Sequence, residues 1–287
     1  MHHVGRVDHA GGWCLVNARI WLFGLLLAVS PACGQRPMMP DEIPADGRSL
    51  LASVEERSEL VRTARIRATL EYFGRGERLR IRQALVVDAA GRLRMETISP
   101  MDTTLSVFVV DGPLMHWYDI ASEVFYTGES TAAHIGQLIP LRLAGADLVA
   151  LLTAGIPLPA VDDATSWPVT WNRRSGTWLV QAPESGGGFF ELSVDPVRLV
   201  VERIEFSGNA TLDAWELRLG DYRPATSDAA GTPEVLVPYR LRFRMRSERV
   251  DISLELERYQ LNPELPDVLF ELEPPRGVPV RQLGGSP

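Results

Sequence analysis

Two histidines lie in the body of the chain, His116 and His134, the smallest set that could run acid–base chemistry or hold a metal. Neither stands at a metal-ligand spacing: His116 sits in a strand beside Trp117 and Tyr118, and His134 in an apolar helical segment. The other three histidines crowd the first ten residues. All 29 basic residues are arginine, which excludes a Schiff-base lysine, a lysine general base and a P-loop lysine. There is no G-x-S-x-G elbow. Gly186-Gly187-Gly188 opens no helix and reads as a turn, and Asp162-Asp163 as a solvated pair. Cys14 and Cys33 cannot build a disulfide framework or a cysteine-rich zinc site. The expectation is a protein without catalytic residues, metal or cofactor.

The 287 residues are 45% hydrophobic and 23% charged with a net charge of −8, too polar for a membrane bundle and too apolar for a disordered chain. That charge argues against a nucleic-acid partner. One region departs from it: residues 57–94 hold ten arginines against four acids. The excess is open to two readings, a solvated face laced with cross-strand ion pairs or a surface for anionic headgroups or an acidic protein.

Ile20 to Val29 is an uncharged apolar run of ten after Arg19, half the length needed to span a bilayer. It fits a secretory core followed by Ser30-Pro31-Ala32-Cys33. A cysteine directly after the scissile bond resembles the bacterial lipoprotein signal, which would make Cys33 the lipidated residue. Ordinary signal peptidase cuts the same bond and would leave a soluble periplasmic protein. Residues 1–32 are therefore expected as a signal and 33–46 as a tether, kept extended by Pro37, Pro40 and Pro44.

The rest must position whatever site exists, and its dominant signal is period-two alternation between Gly, Pro, Asp and Asn turns. Arg78-Leu79-Arg80-Ile81-Arg82 continues in phase through Leu85 and Val87; Thr104 to Val110 and Leu114 to Asp119 flank an Asp-Gly turn. The last hairpin can be registered by arithmetic. A turn at Ser247-Glu248 pairs Arg244 with Asp251, Arg242 with Ser253 and Arg240 with Glu255 on one face. The other face pairs Met245 with Val250, Phe243 with Ile252, Leu241 with Leu254 and Tyr239 with Leu256. One face is wet and the other apolar. Helical signals are few: Asp46 as a cap for a helix over Leu50, Leu51 and Val54, and an apolar segment from Ser130 to Gly155, broken at Pro140. About twelve strands and three short helices mean either two packed sheets or one sheet curved around the helices. In the second case so few helices fill the concavity poorly and leave a cavity.

The stretch Val110-Asp111-Gly112-Pro113-Leu114-Met115-His116-Trp117-Tyr118-Asp119, the following Val124-Phe125-Tyr126-Thr127-Gly128, and the ending Asn262-Pro263-Glu264-Leu265-Pro266-Asp267-Val268-Leu269-Phe270-Glu271-Leu272 resemble the LolA/LolB-type lipoprotein carriers. The resemblance spans residues 47–275, with 276–287 left as a flexible tail. It implies a mainly β fold, a single strongly curved antiparallel sheet of about eleven strands forming an unclosed barrel under a short helical lid. It also implies a greasy interior that shelters the acyl chains of a lipoprotein or lipid. On that pattern Leu85, Val87, Phe108, Leu241, Phe243, Ile252 and Leu254 would line the cup, and Ile135, Leu138, Leu148, Leu151 and Leu152 would form the lid. Met101, at the tip of Ser99-Pro100-Met101-Asp102, would correspond to the protruding membrane-touching loop of the LolB type. A lipid-anchored member would sit on the periplasmic side of the outer membrane and receive cargo from a soluble LolA-like carrier. Other readings are an envelope-stress sensor or assembly factor, or a structural lipoprotein without lipid cargo.

Overall fold

A computed structural model describes residues 38–284 except positions 43, 75, 140, 158–164, 185–186, 210–212 and 228–233. Cys33 and the expected signal lie outside the described residues. Helix α1 (Gly47–Ser58) leads into six strands in sequence: β1 (Thr63–Gly74), β2 (Glu77–Asp88), β3 (Arg92–Ile98), β4 (Thr104–Asp111), β5 (Leu114–Asp119) and β6 (Val124–Glu129). Two short helices follow, α2 (Ala132–Leu138) and α3 (Gly145–Leu152). The second run is β7 (Val169–Asn172), β8 (Thr177–Pro183), β9 (Phe189–Val194), β10 (Val201–Phe206), β11 (Trp215–Pro224), β12 (Thr226–Ser227), β13 (Leu236–Met245), β14 (Val250–Leu261) and β15 (Val280–Gln282).

Each run is an antiparallel meander, and β1 joins the two by pairing with β14. The result is one curved sheet in the order β15-β6-β5-β4-β3-β2-β1-β14-β13-β11-β10-β9-β8-β7, with β12 beside β14. β7 and β15 end the two edges, so the barrel is unclosed. The strand count exceeds the eleven implied by the resemblance partly because β12 and β15 are two- and three-residue pieces that pair in parallel. Segments that short carry no readable alternation.

The final hairpin has the register that the charge pattern requires. Arg244↔Asp251, Arg242↔Ser253 and Arg240↔Glu255 share one face, and Met245↔Val250, Phe243↔Ile252 and Leu241↔Leu254 the other. A slip of one residue would turn three arginines into the core. Outside, Arg242 donates to both oxygens of Asp251 at 2.8 and 2.6 Å, and Arg244 reaches the same carboxylate at 3.1 Å. The arginine-rich stretch behaves in the same way: Arg78 and Arg80 face Glu71, Arg82 holds Asp102 at 2.7 Å, and Arg92 bridges Asp88 and Asp267.

These pairs set a pH response. Arg242 holds the Asp251 carboxyl below the usual range, against the upward push of burial, with Arg244 adding to the effect. Burial pushes Asp88 up, yet Arg92 and the Ala90 N–H outweigh it and bring its pKa down. A carboxylate lowered in the folded state contributes stability above its unfolded pKa, about 3.9, and loses it as pH falls through the folded value. Urea denaturation is therefore expected to be flat through neutrality and to weaken below about pH 4. Asp251→Asn should cost no more than ~1 kcal/mol at pH 7 and lose less on acidification than the parent.

The ends of α2 and α3 are set by the neighbours of Ser130 and Gly155, the residues that bound the segment. Ser130 does not cap α2; its hydroxyl donates to Gly112 O, and Thr131 takes the cap, accepting the His134 N–H. The left-handed residue that stops α3 is Ala154 (φ 60°), with the Gly155 N–H closing back on Ala150 O. Strand β4 is buried on both faces along Val107–Val110. A 3₁₀ turn at Asp267–Phe270 packs across the outer side of β3 and β4, its Phe270 ring under the Arg92 guanidinium at 4.5 Å. Beyond it, β15 lies within the segment expected as a loose tail and adds to β6.

Candidate binding cavity

Pleating carries the even- and odd-numbered side chains of each strand to opposite faces. Register then stacks the inner ones in rows across the sheet. Leu85, Met95, Phe108 and Trp117 form one such row across β2, β3, β4 and β5. On the other side Leu70 stands opposite Leu254 and Ile81, Tyr72 opposite Ile252 and Leu79, and Leu241 opposite Leu254 and Leu219. Helices α2 and α3 cross this concave face but do not fill it. Between sheet and helices lies a cavity of about 780 Å³, within the range of small-molecule sites.

Its wall is apolar. Of the residues expected as the cup, Leu85, Phe108, Leu241, Phe243, Ile252 and Leu254 line it, and so do four of the five expected lid residues, Leu138, Leu148, Leu151 and Leu152. Val87 and Ile135 are fully buried in the packed core instead. Val87 lies one row deeper, opposite Leu93 and Ala64. The wall also includes Leu70, Tyr72 and Ile81 of the β1–β2 hairpin, Leu217 of β11, and a polar trio, Gln83, Thr97 and Ser106. Glu77 and Arg78, beside the exposed tip of the β1–β2 hairpin, also line it.

The lid is fastened at several points. The buried Tyr259 hydroxyl of β14 donates to Leu152 O at 2.8 Å at the end of α3, and burial raises the Tyr259 pKa well above that of a free phenol. Asp147 accepts the Ala144 N–H at 2.8 Å, and burial pushes its carboxyl up in spite of that bond. Arg142, between the two helices, donates to Glu248 of the β13–β14 turn at 2.9 Å. The start of α3 sits where no side chain fits: a Cβ on Gly145 would lie 2.7 Å from Val110 Cγ1 and 2.8 Å from Ser130 Cβ. Gly145→Ala is expected to lift that end and cost about 1–3 kcal/mol, read by thermal or urea melting.

His116 is on the opposite face of β5 from Trp117, half-buried, its ring 5.7 Å from Phe125 and its Nδ1 without a partner among the described residues. Burial lowers its pKa, with the charge of Asp111 acting weakly the other way. His134 lies in α2 with Nδ1 3.0 Å from Glu129 O. The two histidines therefore do not converge on the cavity. Met101 is 89% exposed at the β3–β4 turn, whose Ser99 carbonyl and Asp102 are held by Arg82. Phe73 and Leu79 are also exposed, at the β1–β2 tip on that same end of the sheet. Among the described residues no helix is long and apolar enough to cross a membrane.

The chain is a lidded, unclosed half-barrel around an apolar cavity, the fold that the resemblance to the LolA/LolB-type carriers implies. No protein-family model and no curated protein sequence matches the chain. Among solved structures it is similar to a DUF1329 family protein from Desulfovibrio piger, at 12% identity and a TM-score of 0.58 over 78% of this chain and 95% of the other. A putative outer membrane lipoprotein-sorting protein domain from Vibrio parahaemolyticus also aligns at 12% identity, with a TM-score of 0.55 over 78% of this chain and 97% of that one. A LolA superfamily protein from Nitrosomonas europaea aligns at 10% identity and a TM-score of 0.49, over 80% and 99% of the two chains.

Proposed function

We propose that the protein binds the acyl chains of a lipoprotein or lipid in this cavity, as a non-enzymatic carrier or receptor in the bacterial envelope. The observation that carries the reading is the 780 Å³ of apolar space under a lid held largely by packing and a few side-chain bonds. Each methylene moved from water into such a wall gains about 0.8 kcal/mol, enough for a chain of about fifteen carbons to offset its own ordering. Transfer then needs movement of the helices and no chemistry. The role closest to the fold and the amino-terminal pattern is LolB-like: Cys33 lipidated, the tether holding the body at the periplasmic face of the outer membrane, and cargo handed on by a soluble LolA-like carrier. In that setting Met101, with Phe73 and Leu79 on the same end, would touch the headgroup layer, where exposed apolar side chains beside arginines are favoured.

The test is direct. The protein purified without detergent is expected to release acylated lipid on organic extraction, identified by mass spectrometry, and after delipidation to enhance phenylnaphthylamine fluorescence with one-site saturation. A delipidated, folded protein that neither enhances the probe nor retains lipid would leave the fold with a structural role only.

A further inference from the structure

Away from the end marked by Glu77 and Arg78, the cavity wall is apolar except at one level. Gln83 of β2 pairs with Thr97 of β3, and Thr97 with Ser106 of β4, so the three side chains form a continuous row across the inner face. All three line the cavity. The rows on either side are apolar: Leu85, Met95 and Phe108 deeper in, Leu70 and Ile81 toward the hairpin tip. Gln83 is only 3% exposed. Its amide offers two donors and a two-lone-pair acceptor, yet among the described residues its side-chain bonds go to the Thr97 hydroxyl alone, at 3.2 and 3.4 Å. Ser106 adds a hydroxyl that bonds to no side chain among the described residues. A primary amide in an apolar wall is costly unless its hydrogen-bonding capacity is used.

From this row, and resting on the acyl-binding reading above, we propose that Gln83, Thr97 and Ser106 form a subsite for the carbonyl oxygen of an ester or amide joining an acyl chain to its headgroup. The Ser106 hydroxyl and the spare Gln83 N–H are the donors, and the Thr97 hydroxyl, which donates to Gln83 Oε1, orients the amide. The row lies four residues, about 13 Å along the strand, from Leu79. A carbonyl held there sends its chain toward Leu85, Phe108 and the lid, and its headgroup toward Glu77 and Arg78 at the mouth. The occupant is thereby an acylated molecule, ester- or amide-linked, rather than any hydrocarbon of suitable length.

Displacement of phenylnaphthylamine by two matched pairs tests this. Monopalmitoylglycerol and hexadecylglycerol differ only in the ester carbonyl; N-palmitoylglycine and the plain fatty acid of equal length differ in the amide. The carbonyl-bearing member of at least one pair should bind about fivefold more tightly, the worth of one net hydrogen bond, and which pair shows it separates an ester-linked from an amide-linked source. In the Gln83→Leu, Thr97→Val double variant, whose side chains nearly conserve volume, that preference should vanish, with each displacement read against the variant's own phenylnaphthylamine saturation curve. Equal displacement by both members of both pairs overturns the subsite and leaves the cavity standing, as does a preference that survives in the variant. Failure of the parent to bind the probe or any of the four compounds overturns both.

Discussion

Replacing Leu151 and Leu152 together by aspartate is expected to abolish uptake of a fluorescent fatty acid, with at least a hundredfold loss of affinity, while the far-ultraviolet circular dichroism of the sheet persists. Both leucines are 6% exposed, lie at the end of α3 and face the cavity. Each contributes about 1.5–3 kcal/mol of burial, and a carboxylate in its place demands water. Helix α3 has only eight residues, too few to persist without its apolar face, so two charges should detach it. The sheet's own ladders pass through β1 and β14 and need no lid residue. Leu138→Asp with Leu148→Asp provides a milder control, since both side chains are only half-buried. It should weaken binding in the same direction without threatening the fold. Full affinity in either folded variant would remove the lid from the mechanism.

How much of this was legible beforehand depends on the range of each interaction. The β13–β14 hairpin could be registered pair by pair because its partners are separated by a short turn and its charges alternate with its apolar side chains. The helix–strand order was visible for the same local reason. The pairing of β1 with β14 was not: Thr63–Gly74 and Val250–Leu261 are nearly two hundred residues apart, and no local pattern specifies which strands become neighbours. That pairing places Leu70 and Tyr72 in the wall beside Leu254 and Ile252. Alternation also assigns a face but not a depth. Val87 is in phase with Leu85 yet sits a row deeper, in packed core, and Ile135 shares its helix with Leu138 yet is fully covered. Gln83 did leave a trace, a polar residue at an inward position of an otherwise regular apolar series, which the arginines on either side of the strand obscured. Among the described residues, ion pairs hold five of the ten arginines between residues 57 and 94, Arg78, Arg80, Arg82, Arg92 and Arg94, but do not account for why so many were placed at the end of the sheet where Phe73, Leu79 and Met101 are exposed.

Filling the cavity should separate stability from binding. Leu254→Trp is expected to leave the melting temperature of the delipidated protein unchanged or higher, and to weaken phenylnaphthylamine binding at least tenfold. Leu254 lines the cavity on β14, between Leu70 and Leu241 in the paired strands, and is not fully buried. An indole there enters open apolar space and gains contacts the leucine could not make. In a close-packed interior the same substitution overpacks and costs about 1–3 kcal/mol. The sign of the stability change therefore reports whether the 780 Å³ is real room. A void of this kind lowers stability because its lining lacks partners on one side, so an occupant that fills it must stabilise the protein. At a hundredfold excess over its dissociation constant a ligand adds about 2.7 kcal/mol by mass action. The parent should melt higher with a bound acyl chain and the tryptophan variant should not respond. A variant that is destabilised and still binds at full strength would mean that the apolar space is elsewhere or collapses in solution.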